Sequence, residues 1–119
     1  MSESDRIRVG YVLESHSSDD GMLAEQFLGR LERETGARLE IASGAAEALL
    51  TRLSNDELDL VIGEFATKSP WATDVAILEP LHTRKLNGEE LGFGPVAKNG
   101  ENAWIIRIER NVRALKARR

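Results

Sequence analysis

The stretch Leu58-Asp59-Leu60-Val61-Ile62 constrains this chain more than any other. It is short, carries β-branched residues and is almost continuously apolar. It lacks the strict polar alternation of a strand that keeps one face in water. A strand of this kind needs cover on both faces, and the two amphipathic stretches upstream of it supply that cover. Leu23, Phe27 and Leu31 recur at helical spacing, widened by Met22 and Leu28, and a second stripe follows at Ala46, Leu49, Leu50 and Leu53. Before each helix stands another strand, Ile7–Leu13 and then Arg38–Ala42. The order is β-α-β-α-β. Right-handed crossovers then predict a small three-layer α/β domain built on a mainly parallel sheet, with core strand order 2-1-3.

The punctuation between these elements agrees. Residues 14–20, ESHSSDD, form a polar loop in which Asp19 or Asp20 is placed to cap the first helix. The outer face of that helix carries Glu25, Arg30, Glu32 and Arg33, and Arg30 and Glu34 stand at i,i+4 spacing, where they can pair. Gly36 ends the helix, Ser43-Gly44 turns the chain, and Ser54-Asn55-Asp56 closes the second helix.

The second half is less regular. Residues 66–71 read as a loop, Val75–Leu78 as a strand stopped near Pro80, and His82 to Glu90 as a polar connection with an Asn87-Gly88 turn. In that connection His82 reads as a solvent-exposed residue. Leu91–Ala97 reads as a further strand, and Pro95 assigns it to an edge or an irregular end. Trp104, Ile108, Val112 and Leu115, widened by Ile105, mark one face of a terminal helix over 102–119. No repeat or linker interrupts the 119 residues, which read as a single domain, 1–119.

Composition removes several function classes. With no cysteine, disulfide frameworks, thiol catalysis and Cys-ligated metal centres are excluded. No run approaches the roughly 18 apolar residues of a membrane span. The polar, acidic N-terminus is the reverse of a signal peptide, so the chain reads as cytoplasmic, or periplasmic only if a leader has been removed. Residues 1–101 carry 19 acids against 10 bases, whereas residues 102–119 carry one acid and six bases. The acidic body argues against nucleic acid as a partner, since that affinity rests on neutralised phosphates. The basic end reads as the solvated, dipole-stabilised C-terminus of the last helix.

Residues 7–80 resemble the first lobe of the bacterial extracellular solute-binding proteins of family 3, the polar amino-acid receptors of ABC importers. The matching pieces are IRVGYV at 7–12, Glu34-Thr35-Gly36-Ala37-Arg38-Leu39-Glu40, LDLVIGEF at 58–65 and Glu79-Pro80-Leu81; Phe93 to Gly100 resembles the strand and turn that follow. The resemblance implies a type 2 periplasmic-binding-protein-like lobe, without a counterpart of the second lobe that closes over a ligand. It also implies a Thr-x-x-Arg step whose arginine grips the ligand carboxylate. Aligned from Asp59, the threonine position falls on Lys68 and the arginine position on Trp71. Tryptophan cannot make that paired contact, so the family's amino-acid-binding residues do not carry over.

In an open α/β sheet, ligands lie at the carboxyl ends of the strands. This places Glu14, Ser15, His16, Glu64, Lys68 and Trp71 at the expected ligand-binding rim. His16 and Glu64 can face one another there as an acid/base or metal pair, or stand as two polar groups in water. Trp71 is either a stacking or partner-contact residue or a cover for the core. Ser15, Ser17 and Ser18 lack a nucleophile elbow, the acids of residues 14–20 lack the spacing of a Ca²⁺ loop, and Gly92-x-Gly94 is not a phosphate loop. No catalytic residue, metal site or cofactor is expected. The reading is a non-catalytic module for a small-molecule solute, altered in or without amino-acid binding. The alternative is an interaction or regulatory domain that dimerises or docks a transporter or regulatory partner. A homodimer is expected, through an apolar rim cluster of Phe65, Pro70 and Trp71 or, failing that, through a sheet edge near 91–97.

Overall fold

The computed structural model describes residues 6–12, 18–66, 75–78 and 80–117. The elements are β1 (Arg6–Val12), α1 (Ser18–Thr35), β2 (Arg38–Gly44), α2 (Ala46–Ser54), β3 (Leu60–Ala66), β4 (Val75–Ile77), β5 (His82–Leu86), β6 (Glu89–Lys98) and α3 (Asn102–Ala117). Sheet order is β2-β1-β3-β6-β4, with β5 also on β6. Strands β2, β1 and β3 are parallel neighbours in the expected order 2-1-3, and β6 adds antiparallel to β3.

Alternation along the strands sorts the core onto the two faces of this sheet. Ile7, Val9, Leu60, Ile62 and Phe93 meet Phe27 and Leu31 of α1 and the Trp104, Ile108, Val112 and Leu115 stripe of α3. Val12, Val61, Phe65 and Val96 meet Leu49, Leu50 and Leu53 of α2 on the other face. This is the three-layer arrangement that the strand at 58–62 demanded. The strand itself starts two residues later than expected, because Leu58 is buried with the α2 layer and Asp59 is taken by Arg8 and Trp104.

Five local expectations are corrected. Helix α1 already includes Ser18, so Asp19 and Asp20 lie within its first turn and not at its cap. Arg30 and Glu34 do not pair along the helix; both turn to α3. Glu34 Oε1 accepts from Arg107 Nη1 at 3.0 Å and Asn111 Nδ2 at 3.2 Å, while Arg30 Nε donates to Asn111 Oδ1 at 3.2 Å. The side chain of Asn111, inside the α1–α3 seam, is thereby satisfied, as a buried amide must be.

The polar connection at 82–90 is a hairpin. β5 pairs with β6 from His82↔Phe93 to Leu86↔Glu89, and His82 is half-buried at its start. Asn87 and Gly88 have φ of 53° and 80°, the left-handed pair that a two-residue hairpin turn requires. Pro95 sits on an interior strand, not an edge. β6 has β3 along one side and β5 followed by β4 along the other. The Pro95 carbonyl accepts from Leu78 N at 3.2 Å on that second side. In a strand the N–H and C=O of one residue point the same way, so the missing donor falls where β5 has ended and β4 begins.

Candidate functional site

The rim is formed by the carboxyl ends of β1, β2 and β3 together with the β5–β6 hairpin, whose register brings Leu91 of β6 opposite Ala66 of β3. Of the six residues expected there, Glu64 is described. Glu14, Ser15 and His16, between β1 and α1, and Lys68 and Trp71, between β3 and β4, lie outside the described residues, as does Pro70. The proposed His16–Glu64 pairing therefore has one described partner.

Glu64 is tied to Arg84. Arg84 Nε and Nη2 donate to Oε2 and Oε1 of Glu64, each at 2.6 Å. The pair spans β6, since Glu64 stands opposite Phe93 and Arg84 opposite Leu91. Residues directly opposite share a face, so Glu64, Arg84, Leu91 and Phe93 lie on the α1/α3 face of the sheet. Sequence reasoning missed Arg84 because it placed 82–90 in a loop. The signal was Asn-Gly, the strongest short-range mark of a hairpin, which would have set Arg84 on a strand beside Leu91.

A cavity of about 520 Å³ opens beside β6 and β4, lined by Phe65, Ile77, Pro80, Gly92, Pro95 and Asn99 among others. Its volume lies in the range of small-molecule pockets. Phe65, expected on an exposed rim cluster, is only 8 % exposed and packs in the α2 layer. Burial of an apolar ring follows from its parity on β3, which it shares with Val61.

At the opposite end of the strands Arg8 and Asp59 form a second fork. The hydrogen bonds that Arg8 donates to the Asp59 carboxylate raise the Arg8 pKa above its ordinary value, against the opposing effect of burial. Among the described residues no cluster of three or more histidines or acids is placed to hold a metal ion.

No family model matches the chain, and no curated protein matches it. Solved structures do. The arginine-bound form of domain 1 from TmArgBP superposes with a TM-score of 0.70 at 18% identity, covering 92% of this chain and 93% of that one. A phenylalanine-to-tryptophan mutant of the same domain gives 0.72 at 19% identity, over 95% and 93% of the two chains. The substrate binding protein of an amino acid ABC transporter gives 0.72 at 10% identity, over 94% and 93%.

The fold is that of one lobe of a type 2 periplasmic-binding protein. In such a lobe the rim bearing Glu64 and Arg84 is the end of the sheet at which open α/β folds take ligands. No helix among the described residues is long and apolar enough to cross a membrane.

Proposed function

We propose that this chain is a non-catalytic module that binds a small-molecule solute at the rim of a solute-binding-type lobe. The observation that carries the reading is the match along 92% of the chain to a domain whose structure is arginine-bound. Glu14, Ser15, His16, Glu64, Lys68 and Trp71 are the proposed contact residues, and the partner on the same reading is a transporter or regulatory protein. Amino-acid binding is altered or absent, because Trp71 stands where the resemblance calls for a carboxylate-gripping arginine. The test is a thermal-shift screen of small solutes followed by calorimetry of each hit. A screen that returns no solute would remove the reading.

A second reading, an interaction domain that dimerises, is favoured by the β2 edge. All seven residues of β2 pair in unbroken register with β1, leaving the other side of the strand as a sheet edge. Ile41 at its middle is 56% exposed. The edge strand β5 carries Arg84 and Lys85, and β4 is three residues long. Short or charged edges discourage strand addition, and β2 has an apolar centre instead. Strand β6, the earlier alternative, is enclosed by β3, β4 and β5 and offers no edge. A second copy docks through β2 or through Trp71, and mass measurement with substitutions at each separates the two.

A further inference from the structure

Glu64 and Arg84 belong to strands that do not touch. β6 runs between them, so neither residue meets the other through the backbone ladder. Their side chains nonetheless close over β6 in a two-point fork, with both nitrogen–oxygen distances at 2.6 Å. This is the planar, paired geometry with which arginine takes hold of a carboxylate, and lysine cannot reproduce it. The carboxylate is the inner half, at 12% exposure, and the guanidinium the outer half, at 44%. Leu91 and Phe93 stand on the same face of β6, which the fork crosses. The other basic residues of these strands are placed elsewhere. Lys85 alternates to the opposite face, and Lys98, at the far end of β6, donates to Asp56 at 2.9 Å.

We infer that Arg84 is a carboxylate-gripping residue of the rim and that Glu64 fills its grip from within, as a built-in occupant of an anion subsite. A solute bearing a carboxylate gains a bidentate pair only by breaking one already formed, and it must displace a carboxylate that is largely out of water. The exchange returns little net energy, and the 19 acids of residues 1–101 add repulsion. The rim therefore discriminates against anionic solutes and favours neutral or cationic ones. This inference rests on the solute-binding reading of the rim.

The test uses the full chain with sodium acetate as probe, at constant ionic strength and with chloride as control, followed by amide chemical shifts. The native chain is expected to show no saturable acetate-dependent shifts at β3 and β5. Glu64→Ala should show them, with a dissociation constant at least ~10-fold below any native value, because Arg84 Nε and Nη2 then lose the carboxylate they hold. The double variant Glu64→Ala, Arg84→Ala should lose the gain. Glu64→Gln keeps the shape of the side chain and a weaker neutral acceptor. It should give a smaller gain of the same sign, and it is the variant to read if the alanine chain fails to fold. Acetate binding by the native chain equal to that of Glu64→Ala would overturn the inference, and so would an absence of gain in both single variants. A native chain that binds a neutral solute while Glu64→Ala gains nothing keeps the solute-binding reading and removes the inference. A gain in Glu64→Ala with no solute found for the native chain does the opposite.

Discussion

Asp59 holds Arg8 through both backbone and side chain. Its Oδ2 accepts from Arg8 N at 2.8 Å and from Nε at 3.2 Å, its Oδ1 accepts from Nη2 at 3.2 Å, and its own N–H donates to Arg8 O at 2.8 Å. Trp104 Nε1 then donates to the Asp59 carbonyl at 2.8 Å. Residues 51 apart in sequence thus lock β1 to the start of β3, and α3 is fastened to the same point. The carboxylate satisfies a backbone donor of β1, so its removal leaves that donor without its partner. Asp59→Ala should cost about 1–3 kcal/mol in denaturant melts, with most of the loss from the backbone contact, because the guanidinium is over a third exposed. An unchanged midpoint would show that the clamp is ornamental to stability.

Leu60 is fully buried at the head of β3, among the α1 and α3 side chains. Leu60→Ala should lose about 2–5 kcal/mol, the transfer term plus the cavity left behind. A loss below about 1 kcal/mol would contradict the burial of this strand.

Gly63 has no room for a side chain. A Cβ there would lie 2.6 Å from Val12 Cγ2 and 2.7 Å from Val12 Cβ. Gly63→Ala should destabilise by about 1–3 kcal/mol through overpacking. Val12→Ala in the same chain should recover part of that loss, whereas strictly additive melts would mean that the clash is relieved elsewhere.

Free α-amino acids should not bind tightly. Trp71 occupies the position expected to grip the α-carboxylate, and Arg84 is engaged by Glu64. Calorimetry is the check, and sub-micromolar affinity for any of the common amino acids would refute it.

The chain should run in light scattering near twice its 13.2 kDa mass. If β2 is the interface, Ile41→Lys should weaken the dimer about 10-fold or more while leaving the melt unchanged, since the residue is exposed. If the rim is the interface, Trp71→Ala should do so instead. A mass near that of one chain would dismiss both.

The order β2-β1-β3, the two faces of the sheet and the buried stripe of α3 were legible in the residues alone. Apolar periodicity is local: a run such as 58–62 or a stripe such as Trp104, Ile108, Val112 and Leu115 announces its burial within a few turns of chain. Polar partners were not legible. Arg8 with Asp59, Glu34 with Arg107 and Asn111, and Glu64 with Arg84 join residues 20 to 77 positions apart. A charged side chain carries no mark of its partner, because its partner is whatever the packing of apolar faces brings alongside. The same reason decided β5, whose polar residues read as a connection until the hairpin turn and β6 gave its backbone a ladder to complete. The sequence by itself determined which faces are buried and in what order the core strands lie. Only the tertiary structure decided which charges meet, and with them the chemistry of the rim.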